Sequence, residues 1–275
     1  MNTLADLLPK FSNNLMTGKP PRRYNIGDAF KQVCVSPGQV LLLGAPPNKG
    51  KTSLVMQWVF DALYNDPNLR ACVLNVEMYP DDLLCREVAR QSGVGLTDIQ
   101  SRLFRNVMDY KESVGKAIET IGTIKDRLTF VESPYTLEHV AEVLTEHKSE
   151  LIVLDYIQRI TPDGKPSKDL RQQNSDCMSA IRAIAGWGKA VVVVSACARD
   201  KGSKGRAYEN LSMGSFKESG ELEYGADSCY LLNLDCGNGK LHHVKARHSR
   251  LEDVYLHFDG DCQRWSKAVR EVTCE

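Results

Sequence analysis

Residues 45–52 read Ala-Pro-Pro-Asn-Lys-Gly-Lys-Thr, after the apolar run Val40-Leu-Leu-Leu43 and Gly44 and directly before Ser53-Leu-Val-Met-Gln-Trp-Val-Phe60. Small residues let successive backbone N–H groups curl around phosphate oxygens, a lysine adds a mobile cation, and a threonine hydroxyl can ligate Mg²⁺. A buried strand before the loop and a helix after it set the helix N-terminus against the anion. The expected ligand is a nucleoside triphosphate with Mg²⁺, bound by Ala45, Pro46, Pro47, Asn48, Lys49, Gly50, Lys51, Thr52 and Ser53, with Lys51 on the β- and γ-phosphates and Thr52 on the metal. Ala45 stands where the general pattern has glycine, so the strand and helix around the loop carry part of the identification.

Hydrolysis needs carboxylates beyond the loop. Leu151-Ile-Val-Leu-Asp155 is an apolar run ending in an acid, which can hold Mg²⁺ through water. Glu77 closes the run Val73-Leu-Asn-Val-Glu77 and would emerge at the same sheet edge as the loop. There it can act as a general base, or simply be an acid at the start of the helix that follows at Pro80. Late in the chain, Lys245 and Arg247 lie at i and i+2 and project to one side of a strand. They form either an ordinary surface pair or a cation clamp on the γ-phosphate of a neighbouring subunit.

The elements that must position these groups follow from apolar runs at 39–43, 71–76, 128–131, 151–154, 190–194, 228–234, 241–246 and 254–258, several of them continuous enough for strands buried on both faces. Helical patterns at 52–64, 80–92, 109–124, 136–147 and 169–186 alternate with the early strands, predicting a mainly parallel sheet wrapped by helices. The last three strands follow one another without room for crossover helices and should be antiparallel. Loops rich in glycine, proline and cations are expected at 161–169 and 198–215. At the N-terminus Leu4, Leu7, Leu8, Phe11 and Leu15 recur at helical spacing before Gly18-Lys-Pro-Pro-Arg-Arg23 breaks the pattern. This stretch reads either as a helix packed on its own domain or as an arm for a neighbour. The organisation is thus an arm and tether over 1–24 and one α/β domain over 25–275.

Composition narrows the function. With 35 Lys+Arg against 35 Asp+Glu the chain of 275 residues is formally neutral, so any nucleic-acid contact must come from a local basic patch. Nine cysteines without a Cys-x-x-Cys pair fit reduced core residues of a cytoplasmic protein better than a zinc site. No apolar stretch approaches the ~18 residues of a membrane span.

Taken in order, these segments resemble the ATPase domain of DnaB-type replicative helicases, a branch of the RecA-like ring ATPases. The resemblance covers about residues 35–265. It rests on Pro37-Gly38, the loop at 45–52, Asn75-Val-Glu-Met78 with Leu83 and Arg86 at the spacing of the family's Ser-Leu-Glu-Met segment, and Leu151-Ile-Val-Leu-Asp-Tyr-Ile-Gln158. It continues through Lys217-Glu-Ser-Gly220, Leu222-Glu223, Ala226-Asp227 and Lys245-Ala-Arg247.

The resemblance implies a RecA-like P-loop core with Glu77 as catalytic base, Asp155 as the Mg²⁺-associated acid, Arg86 at the nucleotide, and Lys245 with Arg247 completing a neighbour's site. It also implies Mg-ATP as cofactor, a hexameric ring, replication partners, and single-stranded DNA in a channel lined by Lys165, Lys168, Arg199, Lys201, Lys204 and Arg206. Two departures stand out. Ala196 takes the place of a γ-phosphate-sensing glutamine, which would slow hydrolysis, and the family's helical N-terminal domain is expected to be missing. A ring helicase is the leading expectation. The alternative is an ATP-dependent single-stranded-DNA clamp, loader or recombination accessory with weak hydrolysis. A RecA-type ATPase acting on proteins is disfavoured by the basic segment 199–206.

Overall fold

The computed structural model describes residues 3–164, 169–197, 213–216 and 220–268. Within them the strands are β1 (Val40–Ala45), β2 (Ala71–Asn75), β3 (Leu128–Val131), β4 (Leu151–Asp155), β5 (Ala190–Ala196), β6 (Ser228–Asp235), β7 (Asn238–Ala246), β8 (Val254–Asp259) and β9 (Arg264–Lys267). The helices are α1 (Leu4–Thr17), α2 (Lys51–Asn65), α3 (Pro80–Ser92), α4 (Leu96–Ser101), α5 (Met108–Gly122), α6 (Leu137–His147), α7 (Leu170–Gly186) and α8 (Gly220–Gly225).

All nine strands join one sheet in the order β3-β2-β4-β5-β1-β6-β7-β8-β9. From β3 to β6 every pairing is parallel, and from β6 onward every pairing is antiparallel. The parallel strands β1, β2 and β4 are buried at every position, which is what continuous apolar runs require when helices cover both faces. One face packs against α2 and α3 through residues such as Leu54, Trp58, Phe60 and Leu83. The other packs against α6 and α7 through Val140, Leu144, Ile181 and Ile184. The mainly parallel sheet with antiparallel strands at its C-terminal end is the expected α/β architecture.

The short helices α4 and α8 lie outside the expected elements, and the antiparallel end adds two further features. The β6–β7 hairpin closes on Cys236 and Gly237, both at positive φ (45° and 81°), the two-residue turn whose twist matches the flanking strands. A fourth antiparallel strand, β9, follows the three predicted ones and pairs with β8, from Leu256↔Lys267 to Asp259↔Arg264. Only Trp265 of its four residues is buried, so no apolar run announces it.

At the other end of the chain, α1 opens with a capping box between Thr3 and Asp6. None of its residues is buried: Leu4, Leu7, Leu8, Phe11 and Leu15 are between 48% and 74% exposed, so this apolar stripe is left uncovered by the described residues.

Candidate active site

The loop leaves β1 at Ala45 and enters α2 at Lys51. Ala45 and Pro46 are buried, while Pro47 and Asn48 are exposed. Asn48 (φ 59°) and Gly50 (φ 73°) both adopt left-handed backbone, the kind of conformation from which anion-binding loops are built. Gly50 is doubly required, because a Cβ there would stand 2.7 Å from the Trp265 ring as well as sitting at positive φ. The loop borders a cleft of about 310 Å³ lined by residues 48–53, Glu77, Met78, Arg86, Phe258 and Gln263.

Asp155 lies at the floor of this site, 2% exposed, at the end of β4. Its Oδ2 accepts from the Thr52 hydroxyl at 2.7 Å and from Asn75 Nδ2 at 2.9 Å. Burial raises the Asp155 carboxyl to about 6, with the Thr52 hydrogen bond and Lys51 pulling the other way and the Glu77 charge adding to the rise. The group set suits Mg²⁺. Thr52 gives its only proton to Asp155 and keeps its lone pairs, Asp155 Oδ1 accepts no bond from the described residues, and a buried carboxyl held at about 6 gains from a nearby cation.

Glu77 is exposed and lines the cleft, its carboxylate unpaired among the described residues. Arg86 donates through Nη1 to Ser53 Oγ and to Gln263 Oε1, both at 2.9 Å, and Ser53 Oγ donates to Gln263 Oε1 at 2.7 Å. Burial lowers the pKa of Arg86, and its Nε is buried without a partner. Gln263 sits in the β8–β9 turn, so the strand missed in the sequence supplies a wall of the cleft. Gln57 fixes that wall to α2, exchanging two hydrogen bonds with the Trp265 backbone at 2.8 and 2.9 Å.

Lys49 borders the cleft through the loop, but its Nζ donates to the Leu234 carbonyl at 2.6 Å. Ala196 pairs with Ala45 at the head of the sheet, and Gln158 brackets it, donating to Ser195 Oγ at 2.8 Å and accepting from Ala196 N at 3.3 Å. Lys245 and Arg247 stand at the opposite end of the strands from the loop. Arg247 N bonds Asp227 O, and Asp227 N bonds Val40 O at the start of β1, whereas the loop leaves from its end. Five strand residues, roughly 16 Å, separate the two levels. Both side chains rest on α8: Lys245 donates to the Glu223 carbonyl and Arg247 to that of Tyr224, each at 2.5 Å. Arg247 also reaches buried Asp227 at 3.3 Å. Burial opposes ionisation of Asp227, but the Val40 amide, Arg182 and Arg247 together hold it below the usual carboxylate range. Lys165, Lys168, Arg199, Lys201, Lys204 and Arg206 lie outside the described residues.

A phosphate loop leaving a central parallel strand, with an acid at the end of a nearby strand, defines a P-loop ATPase core of RecA-like architecture. The family model of the DnaB-like helicase C terminal domain matches residues 31–267, and the chain belongs to that family. Among curated proteins it is similar to the replicative DNA helicase DnaB of Helicobacter pylori (strain J99), 22% identical over 223 residues that make up 79% of this chain and 43% of that protein. It is also similar to DnaB of Leifsonia xyli subsp. xyli, 23% identical over 272 residues, 94% of this chain and 57% of that one. The chain thus spans about half the length of the curated relatives it matches. Among solved structures it resembles an ATPase domain with a TM-score of 0.82 at 15% identity, the match covering 98% of this chain and 99% of that one. It also resembles a DnaB-like replicative helicase solved for its interactions with primase (TM-score 0.79, 16% identity, 97% and 67%). Among the described residues no helix is long and apolar enough to cross a membrane.

Proposed function

We propose that this chain hydrolyses Mg-ATP between copies of itself and couples the cycle to movement along single-stranded DNA, as a ring-forming helicase or translocase motor. The observation that carries the reading is the convergence of Lys51, Thr52 and Glu77 on one cleft, with Asp155 hydrogen-bonded to Thr52, while Lys245 and Arg247 lie at the opposite end of the strands. Two cations too distant for their own triphosphate are suited to a neighbour's.

The loop amides and Lys51 bind and orient the phosphates, and Thr52 and Asp155 would hold Mg²⁺. The metal, when bound, neutralises charge on the transferred phosphoryl group. Glu77, unpaired and open to the cleft, takes the proton of the attacking water. Lys245 and Arg247 leave the α8 carbonyls to meet the γ-phosphate of the adjoining copy. The bare apolar stripe of α1 supports residues 1–24 as an arm that docks on that copy, with 25–275 as the motor domain. The basic residues 165, 168, 199, 201, 204 and 206 are assigned to the DNA path.

The test is steady-state ATP hydrolysis with and without single-stranded DNA at matched salt. DNA should stimulate a rate that Glu77→Gln lowers about 10²–10⁴-fold with Mg-ATP binding retained. A stimulated rate that survives Glu77→Gln would refute the role of Glu77. ATP binding with negligible turnover in every case would favour the clamp or loader reading, for which Ala196 at the head of β5 is the supporting observation.

A further inference from the structure

We propose that Asn75 is a positioning residue that ties the backbone carrying Glu77 to Asp155 and so fixes where the base stands over the phosphate loop. The inference rests on the reading of Glu77 as the base.

Asn75 ends β2, pairs in register with Asp155 of β4, and is 8% exposed. Its side chain uses both ends. Oδ1 accepts from Glu77 N at 3.0 Å and Met78 N at 2.8 Å, while Nδ2 donates to Asp155 Oδ2 at 2.9 Å. The orientation of the carboxamide is forced, because two backbone N–H donors can face only its oxygen and a carboxylate oxygen can face only its NH₂. An amide capturing the N–H groups two and three residues on is a turn that reverses the chain at once. That reversal throws Glu77 out of β2 and over the cleft. The Glu77 carboxylate has no partner among the described residues, so what the structure fixes is the backbone that carries it: Val76 N bonds the Asp155 carbonyl at 2.9 Å, and the Glu77 and Met78 amides are both held by Asn75.

The same NH₂ meets the oxygen that takes the Thr52 proton. One side chain therefore links three parts of the site: the turn bearing the base, the acid at the end of β4, and through that acid the first turn of α2. The segment that this one resembles in the family has serine here, whose single short oxygen cannot span the same three groups.

Displacement of a reacting group by about 1 Å can cost on the order of 10²-fold in rate. Asn75→Ala should lower kcat about 10- to 100-fold while KM and the affinity for a fluorescent ATP analogue stay within about threefold. In the nucleotide-free protein, amide exchange in a peptide covering residues 75–79 should accelerate, with peptides from α2 and β4 unchanged. Asn75→Ser, which keeps one acceptor for the turn, should recover part of both the protection and kcat, and it carries the test alone if Asn75→Ala does not fold.

Wild-type kcat in a variant with accelerated exchange would overturn the proposal, as would a fall in kcat matched by an equal fall in nucleotide affinity. The inference and the reading beneath it fail separately. A Glu77→Gln protein that hydrolyses at the wild-type rate removes the base itself, whereas an inactive Glu77→Gln beside a fully active Asn75→Ala removes only the role of Asn75.

Discussion

Replacing Asp155 by asparagine should make the nucleotide-free protein more stable and the motor inert. Asp155 is 2% exposed, and burial lifts its carboxyl from an ordinary 3.8 to about 6. A carboxyl whose folded pKa exceeds its unfolded one holds its proton more tightly when folded. Its contribution is therefore most favourable below 3.8 and is lost as pH rises through about 6. The gap of roughly two units corresponds to about 3 kcal/mol of instability at pH 7.5 and about half of that at pH 5. Asparagine can keep an oxygen towards the Thr52 and Asn75 donors without the buried charge. In urea unfolding without nucleotide, Asp155→Asn should gain about 3 kcal/mol at pH 7.5 and about half as much at pH 5. Wild-type protein with Mg-ATP at a hundred times its Kd should recover about 2.7 kcal/mol by mass action, a gain the variant should largely lose. A variant no more stable than wild type at pH 7.5, or a gain that ignores pH, would show that Asp155 is not a strained buried acid waiting for a cation.

Gln57→Ala should cost about 2–4 kcal/mol in the same assay, because it leaves the buried N–H and C=O of Trp265 unpaired and frees the β8–β9 wall from α2. Phe11→Glu, on the exposed stripe of α1, should abolish self-association by light scattering while leaving unfolding of the separated chains unchanged, since no residue of α1 is buried against the described residues. Continued assembly of Phe11→Glu would remove α1 from the interface.

The parallel core was legible because β1, β2 and β4 are apolar runs, β2 and β4 each closing on one polar residue, and the nucleotide loop because glycine, lysine and threonine at fixed spacing have few other uses together. What escaped depends on distance along the chain. Asn75 was visible as a polar residue ending an apolar strand, but its role appears only when Asp155, 80 positions away, lies beside it. Gln263 reaches Ser53 across 210 positions from a strand with one buried residue, so neither periodicity nor composition marks it. The spacing of Lys245 and Arg247 indicated a shared direction. Their seat on α8, at the strand ends away from the loop, depends on the register of the expected antiparallel β6–β7 pairing, which shifts between Cys229 and Tyr230, and on a short helix that no sequence pattern announced. For α1 the helix was legible from its leucines, and its lack of burial against the described residues was not.

The most direct test of a site shared between copies is a mixture of two disabled chains. Lys51→Ala lacks the phosphate cation and Arg247→Ala lacks the clamp, so each alone should be nearly inactive. In a mixed assembly an intact loop from one meets an intact Arg247 from the other, and DNA-stimulated ATP hydrolysis should return at the interfaces so formed. A mixture that co-assembles yet stays as inactive as its parents would contradict the account.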